Sequence, residues 1–118
     1  MRKQSLLKAF GHAFDGLFYF IGNDRNGQIH FFACIVTAAA GWYYRLPVSE
    51  WLVLLLCFAI VIGFEMCNHA LEKLSDLVQP EYHPVIKRIK DIAAAAVLWS
   101  AIISVVAGLL IFLPKIMK

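Results

Sequence analysis

Glu65-Met-Cys-Asn-His-Ala-Leu-Glu-Lys-Leu-Ser-Asp76 decides how the chain is read, because it follows an almost unbroken apolar run, Trp51 to Phe64. On a helix advancing about 100° per residue, Glu65, Asn68, Glu72 and Asp76 fall at roughly 0°, 300°, 340° and 20°. Three carboxylates and an amide therefore share one narrow stripe, while Met66, Leu71, Leu74 and Leu77 lie on other sides. A stripe of acids at the end of a membrane-grade segment is costly. A bound cation is the simplest thing that offsets the cost.

The surrounding composition supports a membrane setting. The 118 residues are 61% hydrophobic and 16% charged, too apolar for an ordinary soluble domain. The apolar residues come in long blocks, which predicts an all-α membrane protein with a single membrane-embedded domain over residues 1–118. Net charge is only +3, and no nucleic-acid partner is expected. Cys34, Cys57 and Cys67 all sit in apolar stretches and read as small buried hydrophobes, not as a disulfide set or metal site. Met1 to Ser5 is not followed by a long apolar region with a small-residue cleavage site, so no cleaved signal peptide is expected. The spans themselves should direct insertion.

Working outward, residues 5–20 are amphipathic: Leu6, Leu7, Phe10, Phe14, Leu17 and Phe18 recur at helical spacing, with Lys8, His12 and Asp15 off that face. The segment is too polar to span, which predicts a helix lying in the membrane interface, with an amphipathic core helix as the alternative. Gly22-Asn-Asp-Arg-Asn-Gly27 reads as a break and places Asp24 close to the next apolar run. Three spans are expected, over residues 28–44, 51–71 and 92–113. Trp42-Tyr43-Tyr44 closes the first as an aromatic belt, and Pro47 and the pair Pro80 and Pro84 interrupt the chain between spans. One side of the membrane would receive Arg2, Lys3, Lys8, Arg25, Lys73, Lys87, Arg88 and Lys90; the other would receive Arg45, Lys115 and Lys118. That imbalance puts the N-terminus and the 78–90 loop in the cytoplasm, where nucleotides are available.

Carboxylates of the stripe with Asp24 suit a hard divalent cation such as magnesium, which shares its shell with phosphates. The bases Lys87, Arg88 and Lys90 nearby would attract a polyphosphate. Glu65 lies nearest the lipid, where a poorly solvated carboxylate is suited to take a proton from a hydroxyl. These parts read as phosphoryl transfer from a nucleotide to an alcohol held in the membrane. Neither a P-loop nor a kinase glycine-rich loop is present, so the phosphotransferase would be of an unrelated type. For Lys73, Asp76 and Glu81 an interfacial, solvated face is an equally good reading. Two other classes compete: a small cation-coupled transporter using Glu65, and a structural subunit, which leaves the stripe unexplained.

Glu65-x-x-Asn68-x-Ala70-Leu71-Glu72-x-x-x-Asp76, with Glu81-Tyr82-His83 and Lys90-Asp91 ahead of an alanine-rich helix, resembles the prokaryotic diacylglycerol kinase family, which includes undecaprenol kinases. The resemblance covers nearly the whole chain. It implies a homotrimer of three-span subunits, each with an N-terminal surface helix, in the bacterial inner membrane with a cytoplasmic active site. It implies ATP as co-substrate, magnesium, and phosphorylation of a lipid alcohol: diacylglycerol to phosphatidic acid, with undecaprenol as the alternative acceptor. By the same resemblance Glu65 is the catalytic base, Asp24 and Glu72 are the metal carboxylates, and Asn68 and Asp76 support the site. His12, Asp24, Glu72, Glu81, Tyr82, His83, Lys90 and Asp91 would contact ATP.

Four positions depart from the family pattern. Asp24 stands where a glutamate is usual, His69 replaces a small hydroxyl residue, Cys67 an aliphatic one, and Ser75 a valine or isoleucine. His69 reads either as a helix residue at a subunit contact or, since imidazole is a competent ligand, as a contact to metal or phosphate.

Overall fold

The computed structural model describes residues 5–118 as four successive helices: α1, Leu6–Asn23; α2, Arg25–Tyr43; α3, Val48–Val78; and α4, Pro84–Ile116. Arg2 and Lys3, two of the bases expected on the cytoplasmic side, lie outside the described residues. Local chemistry fixes each start. The Ser5 hydroxyl accepts from the Lys8 N–H and caps α1. Pro47 immediately precedes α3, and Pro84 opens α4, where a missing N–H costs nothing.

α3 and α4, of 31 and 33 residues, are long and apolar enough to cross a membrane. Both outrun the expected spans, because the acidic stripe prolongs α3 and the basic residues 85–91 form the first turns of α4. The remaining expected span, the first in chain order at 28–44, lies on α2, which falls short of that measure; Gln28, His30 and Thr37 lower its apolarity. The stretch 5–20 is helical from Leu6 and continues to Asn23 as α1. The break is narrower than its turn formers suggest: only Asp24 separates α1 from α2. Asp24 adopts an extended backbone (φ −114°, ψ 109°), and its Oδ2 accepts from the Gly27 N–H at 3.2 Å. One residue thus ends one helix and caps the next.

α3 packs chiefly on α4 and more lightly on α2. The buried cluster Leu46, Leu54 and Ile111, with Trp51, Phe58 and Phe112 against it, closes the end remote from the acidic stripe. A Lys115–Glu50 ion pair of 2.8 Å ties α4 to α3 there. Leu52, Leu56, Ile60, Leu98, Trp99 and Val105 project outward, an apolar surface of the kind that lipid solvates.

Gly27 is the tightest point of the α1–α2 corner. A Cβ there would strike the ring of buried Phe20 and come within 3.0 Å of Asp24 Oδ2, whereas at Gly16 it would meet nothing within 4 Å. Gly27→Ala should therefore cost about 1–3 kcal/mol through overpacking. Gly16→Ala should gain about 0.5–1 kcal/mol through helix propensity. Thermal unfolding in detergent reads both, and a Gly27→Ala midpoint equal to that of the wild type refutes the packing argument.

Candidate active site

The stripe holds together in space but not in exposure. Glu65 and Asn68 are buried, while Glu72 and Asp76 emerge where α3 leaves the bundle. The Asn68 amide donates to Glu72 Oε1 at 3.2 Å, one turn along the helix, and its Oδ1 is buried without a partner. Glu65 is 2% exposed. Its Oε2 lies 4.0 Å from His30 Nε2 on α2, and the carboxylates of Asp24 and Glu72 are near enough to repel its charge.

Asp24 reaches the same place from the α1–α2 corner. Its Oδ2 is engaged by the Gly27 amide, while Oδ1 faces His69 Nδ1 at 3.6 Å. Tyr19 and Phe20 bring α1 against the other side of that imidazole, with ring centroids 6.2 and 5.9 Å from it. Side chains from α1, α2 and α3 therefore converge around Asp24 and Glu65.

A second feature adjoins the stripe. Glu81, Tyr82, His83, Lys87, Lys90 and Asp91 line a hollow of about 230 Å³ where the α3–α4 connection turns into α4. His83 Nδ1 accepts from the Val85 N–H, so this imidazole caps α4 while it borders the hollow. Lys90 bridges to Asp76 at 2.6 Å, joining the hollow to the stripe, and Lys87 pairs with Asp91 at 2.6 Å.

The acids divide into two sorts. Asp76 and Asp91 are neutralised by lysines, whereas among the described residues the basic side chains facing Asp24 and Glu65 are histidines. Glu72 has no basic partner among the described residues. Three carboxylates gathered without lysine or arginine, beside a buried orphan amide oxygen, suit a hard cation. Among the described residues no three histidine, cysteine or acidic side chains close on a common metal point.

A groove of about 310 Å³ runs between α2, α3 and α4. Leu54, Val61, Val105 and other apolar side chains line it, with Thr37 and Ser104 along its course and His30 among its lining residues. His30 thus borders both the groove and the buried carboxylate of Glu65.

Of the residues expected to form the site, Asp24, Glu65, Asn68 and Glu72 come together, and Glu81, Tyr82, His83, Lys90 and Asp91 share the adjoining hollow. His12 does not join them. It is exposed on α1, about 12 Å along the helix from Phe20 at 1.5 Å per residue. Cys67, expected to be buried, is exposed on α3, while Cys34 and Cys57 are half-buried. His30 is the residue that sequence reasoning passes over. An imidazole in an otherwise apolar stretch of a membrane segment is expensive, and that cost is the signal that could reveal it.

Residues 11–112 match the family model described as prokaryotic diacylglycerol kinase. An undecaprenol kinase of Bacillus subtilis is 38% identical over 109 residues, covering 92% of this chain and 89% of the relative. A diacylglycerol kinase of Synechocystis is 36% identical over 115 residues, covering 97% of this chain and 66% of the relative. A diacylglycerol kinase of Helicobacter pylori is 36% identical over 100 residues, 75% of each chain.

Proposed function

We infer how this chain works from one premise: it belongs to the prokaryotic diacylglycerol kinase family and is a membrane lipid kinase. Its co-substrate is ATP. The acceptor we propose is a lipid alcohol entering from the bilayer beside α3, along the groove that His30 borders. One observation carries the reading: buried Glu65 stands beside the carboxylates of Asp24 and Glu72, and its stripe runs along α3 to Asp76, which Lys90 ties to a hollow lined by lysines.

Each part then has a task. Glu65 takes the hydroxyl proton as the O–H bond breaks. The alcohol oxygen forms its bond to the γ-phosphorus while the bond from that phosphorus to ADP breaks. Asp24 and Glu72 would hold magnesium, which when bound offsets the phosphate charge. The hollow of Glu81, Tyr82, His83, Lys90 and Asp91 would take the nucleotide, with Asn68 and Asp76 fixing Glu72 and Lys90. For His12, exposed on α1, the contact to ATP would be made to the site of a neighbouring subunit. The homotrimer implied by the resemblance supplies one. In this reading α1 lies in the interface, α2 is the third span, and the site faces the cytoplasm. The chain forms one membrane-embedded unit.

Undecaprenol is placed first as acceptor, ahead of diacylglycerol, which the sequence reading favours. The relative of which 89% is matched is named an undecaprenol kinase, whereas the diacylglycerol kinases are matched over 66% and 75% of their own lengths. A cation-coupled transporter finds no support in a chain whose residues 11–112 match a kinase family. Purified protein in mixed micelles with ATP and magnesium, given each alcohol in turn, tests the proposal. Undecaprenyl phosphate should form faster at equal surface concentration. Faster phosphatidic acid formation reverses the assignment, and phosphorylation of neither alcohol overturns the acceptor class.

A further inference from the structure

Two of the departures from the family pattern touch each other. Asp24, where a glutamate is usual, presents Oδ1 to Nδ1 of His69, where a small hydroxyl is usual, at 3.6 Å. That is an electrostatic contact, too long for a full hydrogen bond. Both side chains are largely enclosed, each 15% exposed. The His69 ring is confined by Tyr19 and Phe20, and its Nε2 is buried without a partner. Asp24 is confined as well, since Oδ2 is engaged by the Gly27 amide.

An aspartate carboxylate stands back from a glutamate's by one C–C bond, about 1.5 Å. The shorter side chain has its own advantage here, because aspartate caps a helix well and glutamate is not among the favoured caps. Capping α2 through Oδ2 leaves Oδ1 to face the site, and the imidazole occupies the space that a longer side chain would fill.

We propose that His69 is the positioning residue for Asp24, an Asp24–His69 pair replacing the longer carboxylate and small hydroxyl usual in the family. It rests on the metal role given to Asp24 above. The imidazole, with its proton on Nδ1, steadies Oδ1 toward the divalent cation that accompanies the nucleotide. Removing His69 alone leaves a void and a loose carboxylate. Lengthening Asp24 alone drives the carboxylate into the ring and removes the cap. Making both changes restores room and reach together.

The test is a double-mutant cycle on the full chain in detergent micelles. Mn²⁺ binding is read by electron paramagnetic resonance in the presence of a non-hydrolysable ATP analogue, with thermal unfolding of each variant alongside. His69→Ser and Asp24→Glu should each weaken Mn²⁺ binding about tenfold, and the double variant should return to within about threefold of wild type. His69→Asn, which keeps a nitrogen near the Nδ1 position, should also stay within about threefold. Losses that multiply in the double variant, an unaffected His69→Ser, or a His69→Asn as weak as His69→Ser each overturn the pairing. So does a wild-type chain that does not bind Mn²⁺ with the analogue. Normal Mn²⁺ binding and coupling without phosphorylation of either alcohol would instead count against the lipid acceptor and leave the pair standing.

Discussion

Glu65→Gln is expected to lower lipid phosphorylation by about 10²–10⁴-fold, the range general base catalysis supplies, while leaving ATP–magnesium affinity within about threefold. The substitution keeps volume and shape at a position only 2% exposed, so the helix should tolerate it. What it removes is the carboxylate that would take the proton. The side chain is chosen for this by its surroundings. His30 is 4.0 Å away, Asn68 lies one turn on, and no lysine or arginine neutralises it among the described residues. Initial rates at saturating alcohol and ATP, with nucleotide affinity from calorimetry, separate the two effects. Turnover at the wild-type level removes Glu65 from the chemistry. A parallel loss of nucleotide affinity would make it part of the binding site instead.

The stripe was legible because helical periodicity alone places Glu65, Asn68, Glu72 and Asp76 on one line, and α3 runs through all four without a break. The hollow was legible in part: the bases Lys87 and Lys90 stand out in the sequence, whereas Glu81, Tyr82, His83 and Asp91 were assigned to ATP contact only through the family resemblance. What the sequence hid are contacts between helices. Periodicity says which way a residue faces on its own helix, not what meets it there. His30 lies close to an acid of another helix and His69 to the acid at the α1–α2 corner, and neither contact has a signature in local spacing. The break around Asp24 was overdrawn for a related reason. Glycines and asparagines mark where a helix can stop, but a side-chain cap on Gly27 and a Gln28 amide donating to the Ile21 carbonyl at 2.9 Å let both helices run to the corner.

The contrast between paired and unpaired acids leads to the other large effect. Glu72→Gln should weaken magnesium-dependent ATP binding by more than about 100-fold. Substitutions one shell further out commonly cost 10–100-fold in metal affinity, and a direct ligand should cost more. The glutamine can still accept from the Asn68 amide, which now donates to Glu72 Oε1 at 3.2 Å, so the local helix should survive and the lost charge is what the experiment reads. Asp76 is the built-in comparison, because its carboxylate already holds Lys90 at 2.6 Å. Asp76→Asn releases that lysine toward the phosphates instead of deleting a cation ligand, and its effect on nucleotide affinity should be at least tenfold smaller than that of Glu72→Gln. Calorimetric titration of ATP with and without magnesium distinguishes them. Equal losses in the two variants would mean that the stripe acts as a diffuse field, whereas unchanged binding in Glu72→Gln would place the cation elsewhere. A loss confined to Glu72→Gln and present only with magnesium makes Glu72 a ligand, and the lysine-free carboxylates become the reason acids stand at the end of a membrane helix.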